Sequence, residues 1–175
     1  MGDAPVQGPF ARAGLYAVAV SEHVVIAVMS DTHGFYDPLL DDLLAGVAAI
    51  VHAGDIGSGV YERLLQHAPV TAVLGNTDWP EVLPGVPHEV LATICGVRFL
   101  VGHIRERLLR EHDLRRERID ALVSGHSHRP SVEWQDGVLL LNPGSAGRAR
   151  FGLPRTVALV EVVRGRLEPR IVTLA

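Results

Sequence analysis

The chain has 175 residues, 47% of them hydrophobic, and a formal net charge of −4. That is enough for one domain with a sizeable core; it excludes disordered and fibrous classes and gives no bulk attraction to nucleic acid or anionic membranes. All 16 basic residues are arginine, so no Schiff-base or other lysine-dependent mechanism is available.

Residues 1–22, rich in Gly, Pro and Ala, read as a loosely ordered N-terminal extension, and 23–175 as a single domain. The apolar stretch from Leu15 to Val20 is too short to span a membrane. Its upstream flank, with Asp3 and only Arg12, makes a poor signal peptide, so the protein is expected in the cytoplasm without membrane association.

Val24 to Met29 is a continuous apolar run of strand length, which fits a strand buried on both faces. A polar turn follows from Asp31 to Gly34. Pro38 then opens a helix with Leu39, Leu40, Leu43, Leu44 and Val47 at helical spacing. Ala49 to Ala53 is a second strand, Val60 to His67 a second helix, and Val70 to Leu74 a third strand. The β-α-β-α-β order calls for parallel strands with crossover helices.

After a proline-punctuated loop, Glu89 to Cys95 and Val97 to Val101 form a hairpin turning at Gly96. Cys95 is the sole cysteine, so no intrachain disulfide forms, and its apolar setting (ATICGV) predicts a buried inert thiol. Ile104 to Arg118 reads as a charged helix. Its arginines (105, 107, 110, 115, 116, 118) interleave with acids, which marks a solvated face and no strong nucleic-acid signal. Ala121 to Val123 is a short strand. Val132 to Trp134, Val138 to Leu141, Thr156 to Val163 and Leu167 to Thr173 complete a two-sheet α/β sandwich, parallel at its centre and antiparallel toward its edges.

Seven potential ligands stand where these apolar runs end: Asp31 and His33 in SDTHG, Asp55 in HAGD, Asn76 in LGNTD, His103 in VGH, and His126 and His128 in SGHSH. Open α/β sheets place ligands beyond the carboxyl ends of their strands. Any one of these motifs alone is more often structural. Together, carboxylates, imidazoles and an amide can hold two divalent cations roughly 3.5–4 Å apart. Asp31 and His33, like His126 and His128, alternate about one residue and in extended backbone would share a face. The first cation is assigned Asp31, His33, Asp55 and His128, and the second Asp55, Asn76, His103 and His126, with Asp55 bridging. The O/N set suits Mn²⁺ first, with Fe, Zn²⁺ or Ni²⁺ as the other candidates.

Asp55, Asn76 and His103 are the expected catalytic residues, and Asn76, Thr77 and Asp78 the expected substrate contacts. Asn76 keeps an NH₂ for a substrate oxygen. His52 reads either as a group orienting Asp55 or as a packed strand-end histidine. His23, His67, His88 and His112 read as solvated, and Asn142-Pro143-Gly144-Ser145 as a rigid turn near the site floor.

At these residues the chain resembles the calcineurin-like metallophosphoesterases. SDTHG, HAGD, LGNTD, VGH, SGHSH and LNPGS fall in that family's order across Ser30 to Ser145, with its small bacterial and archaeal phosphodiesterase branch, related to the retromer subunit of vacuolar sorting, the nearest match. The resemblance implies a four-layer α/β/β/α sandwich of two mixed sheets. It also implies a dinuclear centre and attack on phosphorus by a metal-bound hydroxide. One departure matters: many members carry histidine after the Gly-Asn pair, and here Thr77 stands there, unable to protonate a leaving group at neutral pH.

The expected function is therefore a phosphodiesterase dependent on two metal ions, acting on a phosphodiester that could be nucleotide-like. The alternatives are a phosphomonoesterase and a non-catalytic metal-binding or protein-interaction scaffold on the same fold. Trp134 and the edge strands could support a homodimer.

Overall fold

The computed structural model describes residues 23–150 and 152–175; the N-terminal extension lies outside them. In chain order the elements are β1 (His23–Met29), α1 (Leu39–Leu43), β2 (Ala49–His52), α2 (Val60–Leu64), β3 (Val70–Ala72), β4 (Glu89–Ile94), β5 (Val97–Gly102), α3 (Arg105–Glu111), β6 (Ala121–Val123), β7 (Ser131–Gln135), β8 (Val138–Asn142), β9 (Thr156–Val163) and β10 (Arg166–Thr173).

Two five-stranded mixed sheets result, ordered β10-β9-β1-β2-β3 and β4-β5-β6-β8-β7. β1, β2 and β3 are parallel, as are β5, β6 and β8. The remaining pairings, β9 with β1 and β10 and the β4–β5 and β7–β8 hairpins, are antiparallel.

The uninterrupted apolar runs of the central strands now have a cause. Ile26 and Val28 of β1 face the other sheet, where they meet Phe99, Val101, Leu139 and Leu141. Ala27 and Met29 face outward under α1 and α2, with Leu40, Leu44 and Leu64. On the second sheet Leu100, Leu122 and Leu140 face outward under Leu108 of α3. Four layers follow, and both faces of each central strand are dry.

The charged helix is shorter than the sequence implied. It ends at Glu111 because His112 is extended (φ −122°, ψ 138°). The His112 ring reaches Glu117 and Glu89 at 2.9 and 3.2 Å. The Asp113 carboxylate then accepts from the Arg116 N–H and the Glu117 carboxylate from the Asp113 N–H, in the manner of a capping box, starting a separate turn. Arg105 forms a two-pronged ion pair with Glu133, and Arg107 pairs with Glu111.

The solvated reading of His67 and His112 also gives way, since the Tyr36 hydroxyl donates to Asp41 and its oxygen accepts from His67 Nε2 at 2.9 Å, with His67 also 3.2 Å from Asp41. Cys95 is exposed, contrary to the expected burial. The hairpin turns on Cys95 and Gly96 together, both at positive φ (51° and 81°), which lifts the thiol out of the sheet. Among the described residues no helix is long and apolar enough to cross a membrane.

Candidate metal centre

The carboxyl ends of β1, β2, β5 and β6, drawn from both sheets, meet at one edge of the sandwich. All seven ligand candidates stand in the loops that leave these ends and the Leu74–Asn76 segment after β3. Asp31 is fully buried, Asp55, His103 and His128 are buried, His33 is intermediate, and Asn76 and His126 are exposed. The centre is thus dry behind and open in front.

Extended alternation does not create it. Asp31, His33, Asp55, His126 and His128 all sit at positive φ, between 47° and 68°. Non-glycine residues avoid this region, and clusters of them mark functional sites where the surrounding structure holds the strain. The left-handed turns aim Asp31 and His33, and likewise His126 and His128, into the centre.

Two sets of ligating atoms gather there. Asp31, His33 and His128 form one, and Asp31, Asp55 and His103 another, the atoms of each lying within 4.8 Å of one another. His128 Nε2 is 3.2 Å from Asp31 Oδ1 and 3.4 Å from His33 Nε2. Asp31 belongs to both sets; Asp55 Oδ2, of the second, is 3.4 Å from His103 Nε2 and 3.8 Å from His33 Nε2 of the first. Asn76 Oδ1 is 3.1 Å from His103 Nε2 and 3.0 Å from His126 Nδ1.

The donor chemistry fits cations. Asp31 Oδ1 is buried and makes no hydrogen bond, its 3.2 Å approach to His128 Nε2 being an ion pair only when that imidazole is protonated. His103 Nδ1 lies 2.8 Å from the Ala53 carbonyl, which can only accept, so Nδ1 carries the proton. In the neutral ring the Nε2 lone pair then faces two more acceptors, on Asn76 and Asp55. Lone pairs converging on lone pairs need a positive charge among them.

The electrostatics carry the same message. Burial pushes the Asp31 carboxyl up, against Ser30 and the His103 and His128 imidazoles. Burial works against Asp55 as well, yet the His103 imidazole, when its Nε2 is protonated, and the Thr77 N–H outweigh it and hold that carboxyl far below the usual range. Burial lowers His33. Burial would lower His103 too, but Asp55 and the Ala53 carbonyl pull it up, so a cation binding there displaces a proton.

Glycines explain how backbone and carboxylates come so close. A methyl group on Gly75 would collide with Asp55 Oδ1 and the Asp55 backbone nitrogen. One on Gly54 would meet His103 Nδ1 at 2.7 Å. The glycine beside each ligand in the motifs was the sequence signal for this crowding.

Asp78 does other work than the substrate contact the sequence suggested, and His52 and the turn after β8 support the centre from behind. Asp78 does not turn to the open side of the centre. Its Oδ2 accepts from the Ile56 and Gly75 N–H groups (3.0 and 2.9 Å) and its Oδ1 from Gly57 (2.9 Å), clamping the loops after β2 and β3 together. Thr32 Oγ1 donates to the Ile56 carbonyl at 2.8 Å, so His52 Nε2 donates to Thr32 at 3.0 Å. His52 therefore braces the residue between Asp31 and His33 and does not hydrogen-bond Asp55. Asn142 Nδ2 donates to Gly125 O (2.7 Å) and Ser127 Oγ (3.1 Å), and Ser145 Oγ donates to Asp31 O (2.9 Å). The turn after β8 thus supports the loops from behind. Thr77 Oγ1 stands 3.4 Å from His33 Nδ1.

A model of the calcineurin-like phosphoesterase superfamily domain matches residues 24–165, which contain every one of these side chains. The chain belongs to the calcineurin-like phosphoesterase superfamily. A probable metallophosphoesterase of Methanocaldococcus jannaschii is 30% identical over 164 residues, covering 86% of this chain and 82% of that one. A phosphodiesterase of the same organism is 25% identical over 155 residues, covering 78% and 92%. The fold is also that of Vps29 from Entamoeba histolytica, solved with bound zinc (TM-score 0.59, 21% identity, 86% and 99% covered). This calcineurin-like phosphoesterase is a metallophosphoesterase with a candidate site of aspartates and histidines.

Proposed function

We propose that the protein is a phosphodiesterase dependent on two divalent cations, with manganese the first metal to try and iron, zinc and nickel next. The carrying observation is the buried Asp31 Oδ1, which makes no hydrogen bond and stands 3.2 Å from His128 Nε2, together with the Asn76 amide oxygen that faces His103 Nε2. Asp31, His33, Asp55 and His128 would hold one cation, and Asp55, Asn76, His103 and His126 the other. Asp55 would serve both cations in this assignment, because its Oδ2 lies within 4 Å of the His33 and His103 imidazoles. Bound cations supply charge neutralisation and water activation at neutral pH.

The chain's own groups do the rest. Ala53 fixes the His103 tautomer, the Thr77 N–H fixes the Asp55 carboxylate at 2.9 Å, and the Asn76 NH₂ is the donor left for a phosphoryl oxygen. Thr77 offers no acid, so diesters with good leaving groups are the favoured substrates. The phosphodiesterase of M. jannaschii supports the diester over the monoester.

Chelator-stripped protein assayed on an activated aryl phosphodiester and the matching monoester, before and after Mn²⁺, tests the proposal. Metal-dependent diesterase activity above monoesterase is expected. Folded protein that hydrolyses neither with any of the four metals would leave the scaffold reading, with Vps29 as its structural parallel. A homodimer through Trp134, 53% exposed on edge strand β7, is proposed alongside and is read by sedimentation.

A further inference from the structure

Holding cations leaves one feature beside the centre unused. A cleft of about 240 Å³ opens next to Asn76 and His103. Leu74 and Leu108, 3% and 2% exposed, form its floor together with half-exposed Ile104. The more exposed His88 and Arg107 stand at its rim. Gly102 lets Leu108 pack closely on β5, since a methyl group there would meet Leu108 Cδ2 at 2.7 Å and force that side chain to shift.

Cations and water have no use for an apolar wall. A phosphodiester does, because it carries two ester groups besides the phosphoryl oxygens. An apolar cavity of roughly 150 Å³ already holds a benzene ring. The larger cleft here accommodates one aromatic ring with room for a polar edge, which Arg107 and His88 could meet. Arg107 pairs through its Nε with Glu111 at 3.0 Å on the exposed face of α3, which leaves the guanidinium at the rim.

We propose that this cleft binds one ester group of the substrate, an aryl ring or nucleobase, while the phosphoryl group lies at the metal centre. The proposal rests on the phosphodiesterase reading and gives it a substrate class. Discrimination then comes from ring burial against Ile104 and Leu108, not from the phosphate contacts.

Zinc-loaded, full-length protein titrated calorimetrically with methylphosphonate and with phenylphosphonate separates the phosphoryl group from the ring. Phenylphosphonate should bind about tenfold more tightly or better. Ile104→Trp fills the cleft from a half-exposed position and should erase that preference without changing methylphosphonate affinity. Ile104→Ala removes part of the wall and should lower the preference too, which keeps the test open if the tryptophan variant does not fold. Equal affinities in the wild type, no binding of either phosphonate, or an unchanged preference in a folded Ile104 variant would overturn the proposal. Turnover is read separately. Absent diester hydrolysis with an intact ring preference would refute the enzymatic reading and leave the ring site standing.

Discussion

Gly75→Ala probes the centre without removing a ligand. A Cβ at Gly75 collides with the Oδ1 and backbone nitrogen of Asp55. Comfortable contact begins near 3.5 Å, so the carboxylate or the strand end must move on the order of 1 Å. Neither moves easily: Oδ1 accepts the Thr77 N–H at 2.9 Å, and Asp55 already sits at φ 53°. Overpacking of this kind costs about 1–3 kcal/mol, a loss of roughly 2–12 °C in Tm for a domain of this size. Displacing a positioned group by an ångström costs about 10²-fold in turnover. Metal affinity should fall about 10- to 100-fold, as it does when ligand supports are removed. Zinc calorimetry on chelator-stripped protein and thermal melts read both effects. Gly85→Ala is the control, because Gly85 has φ +83° and nothing within 4 Å of its added methyl group. It should cost about 1 kcal/mol of backbone strain and leave metal binding alone. If Gly75→Ala binds zinc like the wild type and is no less stable than Gly85→Ala, the crowding at Asp55 does not position the ligands.

Thr77→His should supply the missing acid. It is expected to raise turnover of diesters with alkyl leaving groups by up to about 10²–10⁴-fold while changing aryl diesters little, as Brønsted plots across leaving groups would show. Equal gains on both would refute a role in protonation. Burial pushes His52 down to about 3, below the ordinary 6.5. Below pH 6.5 the unfolded chain therefore takes up a proton that the folded chain refuses, and stability falls as pH falls toward 3. Urea melts of metal-free protein between pH 6.5 and 4 should show His52→Gln losing stability less steeply than the wild type, by at most about 1.4 kcal/mol per pH unit. Parallel slopes would mean that His52 titrates normally. Asn142→Ala removes donors from Gly125 and Ser127 and an acceptor from the Gly144 N–H (2.9 Å). It should cost about 1–3 kcal/mol and loosen the His126–His128 loop, so a thermal shift without loss of metal affinity would separate the fold from the site.

Strand periodicity and motif order were legible in the sequence because they answer to local rules. Val24–Met29 is apolar without interruption because both faces are buried, and that alone marks it as central. The ligands within SDTHG, HAGD, LGNTD, VGH and SGHSH were legible as one site because strand ends in open sheets gather ligands. The end of α3 was not, since His112 leaves the helix to reach Glu89, 23 positions earlier in the chain. Asp78 looked like a substrate contact by proximity along the chain, and His52 stood open between orienting Asp55 and packing at a strand end. Only the folded loops showed Asp78 spent on three backbone N–H groups and His52 on Thr32. The exposure of Cys95 likewise depends on a turn that needs two residues at positive φ. By itself, the sequence determined which side chains can bind cations and the strand ends that carry them. The tertiary structure decided which lone pairs face one another, because distances below 4 Å between residues up to 95 positions apart arise only when two sheets close on each other.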